Sequence, residues 1–265
     1  PDFVEETIQS VIAQRYPHWE LLLLVDGPGD APEAAFREIF ARYAHEPRVK
    51  PGFQANAGTG VTRERLCRRA EGDFLVCIDD DDTLHPECLA RFAGALQAEP
   101  GLDAVRGGAG LFGVVERYLP PLPRVMVDGV SASLFEVTQP FAVRRAVVDS
   151  FGGLHGDPGF GGVGEDSDLF LRLDRAGART RLINLPLYGR RLSTLNQSLN
   201  FGGGDFTEHV RTLIRRHAPP QWSLDGLTFN LEGGFVTQVA SYKSVHGPLV
   251  LHCPTRYFNY NTLGD

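Results

Sequence analysis

Four consecutive carboxylates, Asp79-Asp80-Asp81-Asp82, follow directly on the apolar run Phe74-Leu75-Val76-Cys77-Ile78. Burying even one isolated charge is very costly, so the cluster must face water, a cation, or a polyanion held by a cation. Hard cations such as magnesium or manganese take carboxylate oxygens, usually one or two from protein, with phosphate and water filling the shell. Asp79 and Asp81 alternate in an extended segment, so one can ligate directly and the other through water. A metal held there would neutralise a diphosphate and stabilise it as a leaving group. The plain alternative is a solvated acidic loop.

A second acidic group, Glu165-Asp166-Ser167-Asp168, follows the glycine-rich stretch Gly159 to Gly164 and opens a helix. Asp166 or Ser167 can cap that helix, and a carboxylate here can equally act as a general base. Neighbouring Glu165 and Asp168 would raise the pKa of Asp166, while the helix dipole would lower it. Arg63, Arg65, Arg68 and Arg69 lie on one short helix, ordinarily a solvated face. Arg63 falls nearest the loop Asn56-Ala57-Gly58-Thr59-Gly60 and is the one expected on a nucleotide or phosphate. Arg190 and Arg191 can clamp a diphosphate, because guanidinium matches phosphate oxygens in a planar fork. His155, His209 and His217 show no ligand spacing and read as structural or surface residues, and Trp19 and Trp222 read as packing residues.

These groups need a scaffold that gathers strand ends. Apolar periodicity predicts helices over 3–14 (with Asp2 as N-cap), from Pro32 to about Tyr43, and over 61–70, 86–98, 141–149, 167–176 and 206–217. Strands are expected over 20–25, 49–53, 74–78, 104–107, 111–118 and 179–184, with a candidate flap at 119–123 and a β-rich stretch after Pro220. The alternation predicts an α/β fold: a mostly parallel central sheet with helices on both faces and a small antiparallel portion. In that reading 74–78 is a buried central parallel strand, and ligands gather at the carboxyl ends of the strands. The order opens on a helix where a βα unit opens on its strand, so the first strand is expected to be missing from the chain.

With 265 residues, 42% hydrophobic and 22% charged, the chain suits a globular protein with a sizeable core. A formal charge of -7 argues against a dedicated nucleic-acid partner. Cys67, Cys77, Cys88 and Cys253 lack CxxC spacing, which fits a reducing compartment. No window reaches transmembrane length.

Taken in order, these residues resemble a family 2 glycosyltransferase with the GT-A fold, over roughly residues 2–198. Ser10-Val11-Ile12-Ala13-Gln14 with Tyr16 is similar to the family's first helix, and Val25-Asp26-Gly27 to its strand-end aspartate. Asn56, Gly58, Arg63, Ala70 and Gly72 follow its nucleotide-side helix pattern. Ile78 to Asp82 with Pro86 resembles the metal-binding DxD motif and its sequel. Phe151-Gly152-Gly153 and Gly164 to Leu169 resemble the acceptor loop with its catalytic ED pair, and Tyr188 to Arg191 the arginine segment over the diphosphate. The chain departs from the family at Gly27 (in place of a second aspartate), at Glu64 (asparagine) and at Ser193 (histidine), and lacks the family's first nucleotide-binding strand.

The resemblance implies an inverting, metal-dependent transfer of sugar from a nucleotide-diphosphate sugar to an acceptor hydroxyl by single displacement. Asp166 would be the catalytic base. Asp81 and Asp79 would hold Mn2+ or Mg2+, and Asp26, Asn56, Arg63, Asp79, Asp80, Glu165, Arg190 and Arg191 would bind the nucleotide sugar. Residues 1–218 would form the catalytic domain, with 1–100 on the donor side, 101–218 on the acceptor side and 219–265 as an extension. The acceptor would be a glycan, lipid-linked or small molecule, and the location cytoplasmic, with peripheral membrane association compatible. Two rival readings are a non-catalytic sugar-nucleotide or glycan-binding domain on the same scaffold and a metal-dependent nucleotidyltransferase.

Overall fold

The computed structural model describes residues 2–27, 32–113, 116–121, 126–127, 130–131, 139–154, 165–192, 216–217, 223–232, 235–244 and 247–258. The glycine-rich stretch 159–164, His155, His209, Trp222, Ser193, most of the expected helix 206–217 and the end of the expected flap lie outside the described residues. The elements in chain order are α1 (Val4–Ile12), β1 (Leu21–Asp26), α2 (Glu33–Arg42), β2 (Val49–Gln54), α3 (Thr59–Arg69), β3 (Phe74–Val76), β4 (Thr83–Leu84) and α4 (Cys88–Ala98). They continue with β5 (Ala104–Gly113), β6 (Arg117–Leu119), β7 (Met126–Val127), β8 (Val130–Ser131), β9 (Phe141–Arg144), α5 (Arg145–Ser150), α6 (Glu165–Arg175) and β10 (Thr180–Leu192). The last three strands are β11 (Ser223–Glu232), β12 (Phe235–Ser244) and β13 (Gly247–Phe258).

Two compact units divide the chain. The first comprises Pro1–Pro121, Gln139–Glu165 and Ala178–Arg191. Its opening half follows the helix periodicity closely. α1 turns Val4, Thr7, Ile8 and Val11 inward, and α2 turns Ile39 and Phe40 inward. β1 and β2 pair in parallel across the α2 crossover, from Leu21 opposite Val49 to Asp26 opposite Gln54. The cap of α1 is a correction: Phe3 occupies that position, with no side-chain capping bond.

The rest of the first unit is less parallel than the sequence suggests. A six-stranded sheet runs β3-β9-β5-β10-β4, with β6 on β5. β9 is antiparallel to both β3 and β5, β6 to β5, and β4 to β10. The expected mostly parallel sheet is therefore a mixed one, because β5 and β6 are joined without the helix that a parallel return requires. The run 74–78 forms only the three-residue β3, at one end of this sheet and antiparallel to β9. Its ladder stops because the following backbone is bonded elsewhere, the Asp79 N–H to Tyr188 Oη and the Asp80 and Asp82 carbonyls to Thr7 Oγ1.

The segment 141–149, expected as a helix, begins as β9, with Phe141, Ala142 and Val143 fully buried between β3 and β5. Pairing on both edges overrides the helical spacing, and α5 takes up only the remainder. β5 runs unbroken through Gly107, Gly108 and Gly110. At Gly107 an added Cβ would crowd Leu187 and Pro140 at 3.1 and 3.2 Å, so the glycine admits close cover rather than ending the strand.

The second unit comprises Leu122–Thr138, Asp166–Gly177 and Leu192–Asp265. It holds most of α6, with Leu169, Phe170, Leu171 and Leu173 buried, the hairpin β7-β8, and the antiparallel sheet β11-β12-β13.

Candidate active site

β1 ends on Asp26, and the next residue turns the chain with φ +67° at Gly27. A Cβ there would meet the Cβ of Asn56 at 2.9 Å, which accounts for glycine where the family commonly has a second aspartate. Asp26 Oδ1 accepts Gln54 Nε2 and the Ala57 N–H, both at 2.7 Å, and Oδ2 accepts the Gly58 N–H at 2.8 Å. Burial pushes this carboxyl up, but the donors from Gln54, Ala57, Thr62 and Gly58 together hold it below its ordinary value. Asp26 thus folds the loop 55–58 back over the strand end and leaves Asn56 exposed there.

That loop delivers α3, whose N-cap Gly58 has φ +89°. Thr62 Oγ1 donates to the Gly58 carbonyl at 2.9 Å, and one residue later Arg63 turns toward the acidic loop. Its guanidinium bridges two carboxylates, Nη2 to Asp79 Oδ1 and Nη1 to Glu165 Oε1. Glu165 is 2% exposed and its Oε2 is buried without a partner among the described residues, while Arg63 is 18% exposed. Three of the expected site residues, Arg63, Asp79 and Glu165, are thereby brought together. Arg68 pairs with Glu64 on the exposed side of the helix. Glu64 also accepts the Leu154 N–H at 2.6 Å, and Gly153, with φ +95°, leaves its carboxylate the room to do so.

The acidic loop is held from three sides. Thr7 Oγ1 bonds the Asp82 carbonyl at 2.7 Å, and Tyr188 Oη accepts the Asp79 N–H at 3.2 Å while donating to Gln139 Oε1 at 2.7 Å. Arg191 N–H donates to Asp82 Oδ1 at 2.7 Å and its Nε to the Asp81 carbonyl at 2.9 Å. The Arg191 guanidinium lies over the rings of Phe3 and Phe112, 4.2 and 4.6 Å from their centroids, and also reaches Glu6. Thr7, Gln54 and Glu6 carried no warning in the sequence, and Tyr188 stood out only as the first residue of the arginine segment. Each is an ordinary residue type whose partner lies far along the chain.

Burial, then the neighbouring charges of Asp79 and Asp80, push Asp81 up to about 6. Burial also pushes up Asp82, again with Asp79 and Asp81 contributing. Asp80 is exposed at the surface, yet the protein packed around the cluster and the Asp79 charge push it up as well. Among the described residues no three His, Cys, Asp or Glu side chains form a group able to hold a metal by themselves. Asp79 and Asp81 offer oxygen donors of the kind a hard divalent cation completed by phosphate and water takes, and the Asp79 and Asp80 charges that add to burial in raising Asp81 are what such a cation would offset.

Asp166 is the second residue of α6 and belongs to the second unit, where its Oδ1 accepts the Ser167 N–H at 2.7 Å. Asp168 has a separate structural task. It is fully buried and accepts His217 Nε2 at 2.7 Å and Arg172 Nε at 2.8 Å. Burial pushes it up, but the His217 bond and the Arg172 and His217 charges outweigh this and hold it at about 2.

The α/β scaffold with its mixed sheet matches solved structures of the GT-A glycosyltransferase fold. In comparisons with solved structures, S. aureus TarS 1-349 in complex with UDP has a TM-score of 0.59 at 17% identity, over 82% of this chain and 63% of that one. The mannosyltransferase PcManGT from Pyrobaculum calidifontis, in complex with GDP-Man and Mn2+, has a TM-score of 0.53 at 16% identity, over 74% of this chain and 55% of that one. The profile described as Glycosyl transferase family 2 matches residues 1–124, and that described as Glycosyl transferase family group 2 matches residues 74–224. The chain belongs to the family 2 glycosyltransferases. The O-antigen biosynthesis protein RfbC of Myxococcus xanthus is 32% identical over 193 residues, 71% of this chain but 15% of that protein. The chain therefore spans under two thirds of each of these three relatives.

Among the described residues, no helix is long and apolar enough to cross a membrane.

Proposed function

We propose that this chain transfers a sugar, with inversion, from a nucleotide-diphosphate sugar to an acceptor hydroxyl. The observation that carries the reading is the Arg63 bridge between Asp79 and Glu165, beside the strand end at Asp26. It joins the first acidic motif to the residue just before Asp166, 102 positions along the chain from Arg63. The acceptor oxygen attacks the anomeric carbon as its proton passes to Asp166. The bond from that carbon to the diphosphate breaks, and the nucleoside diphosphate leaves with the electron pair. Asp79 and Asp81 would hold Mn2+ or Mg2+, whose charge would stabilise the leaving diphosphate.

Asp26, Asn56 and Asp80 line the nucleotide-sugar side, and Arg190, whose charge lowers the pKa of Asp81, serves the diphosphate. Arg191 contributes by fixing the acidic loop. Glu165 Oε2, a buried acceptor, suits a donor-sugar hydroxyl. Residues 1–218 would be the catalytic domain. TarS structures with UDP and UDP-GlcNAc and the GDP-Man complex of PcManGT make those nucleotide sugars the first donors to try. The name of RfbC points to a polysaccharide-building context, with glycan or lipid-linked acceptors.

The test is nucleoside diphosphate release and sugar transfer with Mn2+ present, in the parent, Asp166→Asn and Asp81→Ala. Asp166→Asn should slow transfer by roughly 10²–10⁴-fold while nucleotide binding persists. Asp81→Ala should lose metal-dependent binding. Transfer by Asp166→Asn at the parent rate would refute the base assignment.

A further inference from the structure

Three consecutive residues of α3 reach three different parts of the first unit. Gln54 Nε2 donates to Thr62 Oγ1 at 2.8 Å and to Asp26 Oδ1 at 2.7 Å, which ties Thr62 to the end of β1. Arg63 bridges Asp79 and Glu165. Glu64 Oε2 accepts the Leu154 N–H at 2.6 Å, just beyond α5. Successive side chains on a helix diverge by about 100°, so a single turn can serve all three partners.

The exit of α5 is shaped to receive Glu64. The N–H groups of Phe151, Gly152 and Gly153 bond back to carbonyls of α5, with φ +78° at Gly152 and +95° at Gly153. The Leu154 N–H is the first that the helix end does not take up, and Leu154 is buried, so that donor needs a partner. A Cβ on Gly153 would lie 2.6 Å from Glu64 Oε2, so the carboxylate packs directly against this glycine. Arg68 takes the other oxygen but is exposed, an i,i+4 pair that contributes little by itself. The bond to Leu154 is charge-assisted and sheltered, the Glu64 side chain being 12% exposed.

Leu154 and Glu165 stand on either side of the stretch 155–164. Glu64 holds the first and Arg63 the second, so both ends of that stretch are fastened to adjacent residues of one helix. Asp166 follows directly on Glu165, and the same helix is tied through Gln54 to Asp26. A reacting group misplaced by about 1 Å can cost roughly 10²-fold in rate, so such fastening bears on the transfer step. Glu64 stands where the family commonly has asparagine, which is one methylene shorter and whose amide oxygen would stop short of the Leu154 N–H.

We propose, on the transfer reading given above, that Glu64 is a positioning residue for the sugar transfer. Glu64 through Leu154 and Arg63 through Glu165 fix both ends of the stretch leading to Asp166 on the helix that also carries the donor side. Glu64 acts on the reaction only through the Leu154 backbone. Releasing that end frees the chain that leads to the base, which slows transfer and leaves donor binding as it is.

The test compares the parent with Glu64→Ala, Glu64→Asn, Glu64→Gln and Arg68→Ala. It reads nucleoside diphosphate release from UDP-GlcNAc and from GDP-Man with Mn2+ present, together with amide exchange at Leu154. Glu64→Ala and Glu64→Asn should lower kcat at least about tenfold, leave the donor KM within about twofold, and speed Leu154 exchange at least about tenfold. Glu64→Gln keeps an acceptor oxygen at the same reach and should return both readouts toward the parent values. Arg68→Ala removes only the exposed partner and should change neither. Glu64→Asn, with its polar side chain, keeps the test decisive if Glu64→Ala misfolds. An unchanged kcat in Glu64→Ala and Glu64→Asn, an equal fall in Glu64→Gln, or a Leu154 amide that does not respond would each overturn the proposal. A parent that turns over neither donor would overturn the transfer reading and this role with it, while the donor-free exchange would still say whether Glu64 holds Leu154.

Discussion

Replacing Arg63 with alanine separates a structural keystone from an ordinary surface cation. Glu165 is 2% exposed, and its Oε1 has the Arg63 guanidinium as partner. Removing one member of a buried pair leaves an uncompensated charge, at a cost of roughly 3–5 kcal/mol, of which the 18% exposure of Arg63 argues for the lower end. The second contact, to Asp79 with its side chain 38% exposed, adds at most about 1 kcal/mol. Arg63→Ala should therefore lower stability by roughly 3 kcal/mol, a fall of about 6–12 °C in melting temperature for a domain of this size. Glu165→Gln removes the charge that needs compensation, so Arg63→Ala in that background should cost only about 1 kcal/mol. Urea unfolding of the four proteins in this cycle should yield a coupling of about 2 kcal/mol. A coupling within about 0.3 kcal/mol of zero would mean that the bridge does not exist in solution. The functional role given to Arg63 would fall with it.

Two further outcomes test other parts of the molecule. Gly27→Ala forces a side chain into a left-handed turn with its Cβ 2.9 Å from that of Asn56, and should lose about 1–3 kcal/mol by thermal unfolding. Asp168 titrates near 2 in the folded protein against an ordinary 3.8, so it contributes about 2 kcal/mol above pH 4 that is lost as pH falls from about 4 toward 2. Asp168→Asn should flatten that part of the stability profile in urea titrations at successive pH values, and a profile as steep as the parent's would refute the assignment.

Local chemistry was legible wherever it depended on short spacing. The α1, α2 and α4 faces, the parallel β1-β2 unit and the acidic loop after Phe74 to Ile78 all follow from periodicity and from the cost of burying charge. What periodicity cannot carry is pairing across distance. Phe141-Ala142-Val143 fits a helix by its spacing, and only β3 and β5 on either side make it a strand. The glycines of β5 read as breaks because the side chains of Leu187, Pro140 and Tyr118 that lie over them come from elsewhere in the chain.

The same limit governs the site. Motif order singled out Asp26, Arg63, Asp79, Glu165 and Arg191, but not what each one touches. Asp26 reads as a ligand contact, yet three of its hydrogen bonds go to the protein's own Gln54, Ala57 and Gly58. Arg191 reads as a phosphate clamp, yet its guanidinium is seated between Phe3 and Phe112 and bonded to the Asp81 carbonyl. A cation stacked between two rings gives up that contact if it swings toward a ligand, a loss of roughly 0.5–2 kcal/mol before any new bond forms. Arg191 therefore holds the acidic loop in shape rather than standing ready for a ligand.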